Sequence, residues 1–79
     1  MKLGIKILPR QNVLDKQGRT VEKTLNENDF SVQKCRVGKY IEIDVESKDF
    51  DDAKTKVKAM ADYVLYNPLV EDYTIEVID

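Results

Sequence analysis

The groups in this chain that could carry out chemistry are one thiol and two sets of carboxylates. Cys35 lies between Lys34 and Arg36, and neighbouring positive charge can lower a thiol pKa enough to create a nucleophile. The sequence contains no histidine, so the usual base for such a thiol is missing. Alternation along this segment places the thiol inward and both cations outward, and we therefore expect a buried structural cysteine.

The carboxylates form a row on one predicted strand, at Glu42, Asp44 and Glu46, and a pair at Glu71 and Asp72. Oxygen ligands suit divalent cations, but such sites need a loop that brings several carboxylates to one point. A straight strand keeps its side chains apart. We expect solvent exposure or cross-strand pairing here, with no metal site and no catalytic residue.

Length and composition predict a single domain that spans residues 1–79. The net charge of −2, with 35% charged residues, argues against a general binder of nucleic acid. One cysteine cannot form an internal disulfide, and no cluster of cysteine and histidine offers a structural metal. A homodimer or higher oligomer is the remaining common means of stabilising so small a domain.

The first nine residues alternate charged and apolar side chains, unlike the continuous apolar run of a signal peptide. The longest apolar stretches are far shorter than the roughly 20 residues that cross a bilayer. A single thiol fits a reducing compartment. We therefore expect a cytoplasmic protein that binds no membrane.

Hydrophobic periodicity predicts the elements that must position these groups. Strands alternate apolar and polar residues, whereas the helices carry one apolar stripe, to which the first helix contributes Val21 and Leu25. The predicted elements are a strand at Leu3–Ile7, a helix at Arg19–Glu27, strands at Val32–Val37 and Tyr40–Glu46, a helix capped by Ser47 or Asp49, and a strand at Tyr73–Val77.

This order, β-α-β-β-α-β, predicts an α+β two-layer sandwich with a four-stranded sheet and two helices on one face. Outward side chains are basic on the first two strands and acidic on the last two. The ferredoxin-like strand order 4-1-3-2 would place basic and acidic strands alternately, and opposite charges on neighbouring strands attract. The two middle strands are predicted to join through a three-residue loop, Gly38–Tyr40.

Two segments, Val37–Glu42 and Asn67–Tyr73, place turn-forming residues beside charged and aromatic side chains at the ends of strands, where folded domains commonly contact partners. The structural turns are assigned to Gly18, Gly38 and Pro68. The candidate partner contacts are Arg36, Lys39, Tyr40, Asn67, Glu71, Asp72 and Tyr73.

These segments, together with Val13-Leu14-Asp15 and Gln17-Gly18 before them, resemble the PurS family in order and spacing. Members of that family are the small accessory subunit of phosphoribosylformylglycinamidine synthase, in de novo purine biosynthesis. The resemblance implies a non-catalytic, homo-oligomeric subunit that bridges the ATP-dependent synthetase subunit and the glutaminase subunit and supports ammonia transfer.

The resemblance also implies that this subunit binds no cofactor of its own, whereas the complex uses ATP, magnesium and glutamine. A second hypothesis stays open at the level of sequence. The same fold could form a stand-alone dimeric regulatory module that binds a small ligand, because a fold does not fix a function.

Overall fold

Three strands, two helices and one π-helical segment make up the described part of the chain, residues 1–78 of a computed structural model. They are β1 (Lys2–Pro9), α1 (Lys16–Glu27), β2 (Lys39–Asp44), α2 (Phe50–Met60), a π-helical segment (Ala61–Leu65) that continues α2, and β3 (Glu71–Val77).

The strands form one antiparallel sheet in the order β2-β1-β3. On one face, Ile5 lies between Ile41 and Ile75. On the other, Gly4 lies between Glu42 and Glu76. Because side chains alternate along a strand, β1 presents an apolar row to α2 and a polar row to the opposite side.

The core lies between β1 and α2. Leu3, Ile5 and Val57 are fully buried there, and partly buried apolar side chains of β2 and β3 surround them. Burying a side chain of this size stabilises the fold by roughly 1.5–3 kcal/mol relative to its exposure. The core is small, so each of its residues contributes a large share of the total stability.

The helix α2 begins where the sequence predicts a cap. The Asp49 carboxylate accepts a hydrogen bond from the Asp52 amide at 2.9 Å, which satisfies one of the free amides of the first turn. Asp52 in turn pairs with Lys56 at 3.2 Å, one helical turn further on. The regular helix ends at Met60, and the chain is extended again at Tyr66 before Pro68.

The helix α1 projects from the sheet instead of packing on the face that α2 covers. It contributes no residue to the core cluster, and Val21, predicted to point inward, is 41% exposed. The radius of gyration is 15.6 Å, whereas a compact chain of this length has about 12 Å. The prediction of two helices on one face is therefore wrong in the described residues.

The predicted strand at Val32–Val37 is absent from the sheet within residues 1–78, so the sheet has three strands where four were expected. Backbone amides of the 32–37 segment donate hydrogen bonds to side chains of α1. Val32 donates to Asn26 at 2.8 Å, and Cys35 donates to Glu22 at 3.0 Å. Because these donors already have acceptors, the segment stays extended without a strand partner.

The connection before β2 also differs from the prediction. Lys39 and Tyr40 lie within β2, opposite Ile7 and Lys6 of β1, and no three-residue loop joins two paired strands there. Gly38 lies just before β2, where a side chain would collide with the Ile7 carbonyl oxygen. The requirement for glycine at this position comes from close backbone approach.

Gly18 was predicted to lie in a loop turn before α1, but it is a buried residue within the first helical turn of α1. The helix begins earlier than expected because the Asp15 carboxylate caps it, accepting from the Gly18 amide at 3.0 Å. A Cβ atom on Gly18 would lie 2.6 Å from the Cys35 carbonyl oxygen. This glycine therefore allows the 32–37 segment to pass directly over the start of α1.

Candidate partner-binding surface

Tyr40 lies across the open face of the sheet instead of at a loop tip. Its hydroxyl donates to the Glu76 carboxylate on β3 at 2.8 Å, spanning the central strand. Its ring lies above Gly4, and Glu76 also pairs with Lys6 at 3.3 Å. Tyr40 is 48% exposed, so one side of the ring contacts the sheet and the other faces solvent.

This hydrogen bond changes the acidity of both groups. Donation to the Glu76 carboxylate is the main cause that raises the pKa of Tyr40 above 10.0. The same bond, followed by the contribution of Lys6, lowers the pKa of Glu76 below 4.5. Both shifts follow from stabilising the protonated phenol and the ionised carboxylate.

The turn between the π-helical segment and β3 is held by residues predicted as partner contacts. The Asn67 amide donates to Glu71 at 2.7 Å, and the Asn67 side-chain oxygen accepts from the Leu69 amide at 3.0 Å. Pro68 lies in this turn. Asn67 and Glu71 are therefore engaged in shaping the turn.

Arg10 attaches this turn to the end of β1. Its Nε and Nη2 atoms donate to the Pro68 carbonyl at 3.1 and 2.9 Å, and its Nη1 atom pairs with Asp72 at 3.2 Å. Asp72 itself stays exposed. A planar guanidinium can hold two acceptors in fixed positions, so the turn is rigidly placed beside the sheet.

Tyr73 packs toward the core. Its ring meets that of Tyr66 edge to face, with centroids 4.6 Å apart. Partial burial is the first cause that raises the pKa of Tyr73 above 10.0, with Asp62 second. The ring is half-buried against the core cluster, so it supports the strand more than it offers surface.

Three exposed apolar side chains near this turn were not identified from the sequence as contact residues. Leu69 at the tip is 83% exposed and Tyr63 on the π-helical segment is 89% exposed. Val64 lies beside Tyr63 and is 70% exposed. The sequence signal for Leu69 was its position directly after Pro68, where a solvated turn would normally carry a polar residue.

Arg36 contacts the end of β1. Its Nη1 atom donates to the Pro9 carbonyl at 3.0 Å, and its side chain lines a cavity with Cys35. Cys35 is partly exposed, so the expectation of a buried cysteine is wrong. The pKa of Asp15 at this junction is lowered, first by the Gly18 amide and then by the Val37 amide.

The candidate contacts meet at one end of the sheet. β1 ends at Pro9, whose partner on β3 is Glu71, while Ile7 is paired with Lys39 at the start of β2. Antiparallel pairing on both sides of β1 therefore brings two distant segments of sequence to the same end of the sheet. Arg10 connects this end of the sheet to the turn at Pro68.

Within residues 1–78, no group of three histidine, cysteine or acidic side chains is close enough to hold a metal ion. None of the helices in that part of the chain has the length and apolar character that a membrane span requires. The chemistry available on the surface is therefore hydrogen bonding, ion pairing and apolar contact.

Comparison with known families gives a match over nearly the whole chain. The family model described as PurS, phosphoribosylformylglycinamidine (FGAM) synthase, matches residues 2–79. The chain belongs to the PurS family. It is accordingly a PurS-type subunit of that synthase, with a role in purine biosynthesis.

Similar proteins of known name agree with this assignment. The PurS subunit of Thermotoga maritima is 37% identical over 75 residues, with 94% of this chain and 92% of that protein covered. The PurS subunit of Bacillus subtilis is 36% identical over 77 residues, with 96% and 90% covered.

Solved structures share the α+β fold of this PurS chain. One chain of a PurLQS structure from Thermotoga maritima superposes with a TM-score of 0.88 at 37% identity, covering 95% of this chain and 93% of that one. The crystal structure of Methanocaldococcus jannaschii PurS gives 0.84 at 32% identity, with 95% and 92% covered.

Proposed function

We propose that this chain acts without catalysing a reaction itself, by bridging the ATP-dependent synthetase subunit and the glutaminase subunit of the synthase. The observation that carries this proposal is that the two predicted contact segments lie at the same end of the sheet. A rigid surface at the end of a sheet can fix the distance and orientation of two partners, which favours transfer of an intermediate between them.

Ammonia is the intermediate whose transfer the bridge would support. Of the seven predicted contacts, all of which are exposed or half-exposed, the partner contacts proposed here are Lys39, Tyr40, Asp72 and Arg36. Asn67, Glu71 and Tyr73 would act by holding this surface in shape. A PurLQS structure among the similar proteins supports an assembly of this kind.

We also propose that the chain forms a homo-oligomer. Both outer edges of the sheet are unpaired within residues 1–78. Exposed apolar residues lie just before α1, at Leu14, and on α1, at Val21. A second copy could cover the helix and add a fourth strand beside β2. Light scattering coupled to gel filtration tests this proposal, and a monomer at every concentration would contradict it.

The remaining parts of the proposal concern setting and chemistry. The chain would act in the cytoplasm as a single domain, and it would hold no cofactor itself. ATP, magnesium and glutamine would be used by the partner subunits. Each of these statements is what membership of the PurS family implies for the chain.

The decisive experiment compares two nitrogen sources. The synthetase and glutaminase subunits are assayed with and without this chain, first with glutamine and then with ammonium salts. A bridge for ammonia transfer should raise the glutamine-dependent rate and leave the ammonium-dependent rate nearly unchanged. Equal glutamine-dependent rates in both mixtures would overturn the proposal.

A further inference from the structure

An open cavity of about 300 Å³ lies between the loop after β1, the helix α1 and the 32–37 segment. Its walls carry a net formal charge of +2, although the whole chain carries −2. The charged side chains that line it are Arg10, Arg19, Lys34 and Arg36 on the positive side and Asp15 and Glu22 on the negative side.

The two carboxylates hold the walls of the cavity together. Asp15 accepts from the Val37 amide at 2.9 Å as well as capping α1. Glu22 accepts from the Cys35 amide at 3.0 Å. Both carboxylates therefore accept hydrogen bonds from backbone amides, and these bonds fix the 32–37 segment against α1.

Three of the cations form no salt bridge within residues 1–78, although the charge of Arg36 helps to lower the pKa of Asp15. Arg10 pairs with Asp72, but Arg19, Lys34 and Arg36 form no ion pair within residues 1–78. Arg36 is nevertheless held in place by its bond to the Pro9 carbonyl. Like charges brought together in one concave site repel one another unless an anion joins them.

We propose that this cavity binds the phosphate group of a small phosphate monoester. Arginine and lysine are the usual phosphate ligands, arginine through its planar fork and lysine as a point charge. A monoester carries about −1.5 to −2 at pH 7, which balances the charge of the walls better than a carboxylate does. The volume lies at the small end of metabolite pockets, about 300–1,000 Å³.

The first experiment uses calorimetric titration of the full chain with ribose 5-phosphate, inorganic phosphate and ribose. Ribose 5-phosphate should bind saturably, and ribose should not bind. Affinity should fall below about pH 6, where a monoester loses its second charge. Equal affinities for ribose 5-phosphate and inorganic phosphate would overturn the monoester and identify free phosphate as the ligand.

Cys35 supplies a local readout, because it is the only cysteine in the chain and lines the cavity. The rate at which a thiol reagent modifies it should fall as ribose 5-phosphate is added, at concentrations that match the calorimetric affinity. An unchanged rate at saturation would place the ligand elsewhere and overturn the assignment to this cavity.

The matched variants are Arg19→Gln with Lys34→Gln, and Lys23→Gln with Lys58→Gln as the control. Each pair removes two positive charges from exposed positions, so global charge changes equally. The first pair should weaken binding by at least about tenfold, and the control by less than about twofold. Equal losses, or no binding by the unaltered chain at millimolar ribose 5-phosphate, would overturn the site.

This site shares Arg36 with the proposed bridge, but the two proposals are tested on different residues. Arg19 and Lys34 are not among the proposed partner contacts, so the glutamine and ammonium comparison does not depend on them. A phosphate site could fail with the bridge intact, and the reverse also holds.

Discussion

The Tyr40 hydroxyl and the Glu76 carboxylate are joined at 2.8 Å across the full width of the central strand. The bond connects the two outer strands of the sheet, which share no backbone pairing. It is possible because Gly4, beneath the ring, has no side chain. A residue that the sequence suggested as a free contact therefore also links the two edges of the sheet.

Gly4→Ala should displace Tyr40 from this position. The new Cβ atom would lie 2.5 Å from the Tyr40 Cζ atom, closer than van der Waals contact permits. The ring end is movable, so we expect the fold to persist while the bond to Glu76 is lost. The pKa of Tyr40, measured by NMR on labelled tyrosine, should return toward 10.0. If the pKa of Tyr40 in the variant equals its pKa in the unaltered chain, this account is contradicted.

The same pair predicts a pH dependence of stability. The lowered pKa of Glu76 contributes stability above its ordinary value of 4.5, which is lost as pH falls below that value. The raised pKa of Tyr40 contributes stability below 10.0, which is lost as pH rises through the folded-state value. Tyr40→Phe should therefore lower the free energy of unfolding most between these limits. Urea titrations at pH 3, 7 and 11 measure the free energy of unfolding of the variant and of the unaltered chain. The same difference between the two proteins at all three pH values would contradict this prediction.

The strands β1 and β3 and the helix α2 could be predicted from sequence because one face of each is buried. Leu3, Ile5 and Ile7 must share a face of a strand, and Ala53 and Val57 must share a face of a helix, wherever the rest of the chain lies. The acidic strands on both sides of β1 followed from the same alternation. The observed ion pair between Lys6 and Glu76 agrees with it.

The 32–37 segment could not be assigned in the same way. Alternation predicts an extended backbone, but it does not say whether the amides bond to a strand or to side chains. Here the acceptors are Asp15, Glu22 and Asn26, whose reach depends on where α1 lies. The position of Tyr40 was predicted wrongly for a related reason, since the group that its side chain meets depends on the tertiary fold. The sequence did contain one signal, because a glycine within a strand, Gly4, indicates close approach of another group.

The two helix caps should respond differently to the same substitution. Asp15→Asn retains an oxygen for the Gly18 amide, but its new amide group would face the Val37 donor. We expect α1 to remain and the 32–37 segment to loosen, which should speed modification of Cys35. Asp49→Asn is the control, since the Asp49 carboxylate accepts a hydrogen bond only from the Asp52 amide within residues 1–78 and asparagine caps equally well. Similar Cys35 rates in both variants would show that Asp15 does not hold this segment.

The small core predicts a strong dependence on Val57. Val57→Ala removes two buried methyl groups from a fully buried position and should lower the free energy of unfolding by roughly 1–3 kcal/mol. Val64→Ala makes the same chemical change at an exposed position and should cost less than about 0.5 kcal/mol. Urea unfolding followed by circular dichroism measures both. Similar costs would mean that Val64 is covered in solution, as an oligomer or partner contact would require.

The exposed apolar residues beside the turn predict where a partner binds. Leu69→Ser should weaken binding to the synthetase or the glutaminase subunit by about tenfold or more, because burying a leucine side chain contributes roughly 1.5–3 kcal/mol. Its backbone amide still bonds to Asn67, so the turn and the thermal stability should be preserved. Lys48→Ser, at an exposed loop position at the opposite end of the sheet, is the control. Surface plasmon resonance measures both variants against each subunit, and unchanged affinity of the Leu69 variant for both would exclude this turn from the interface.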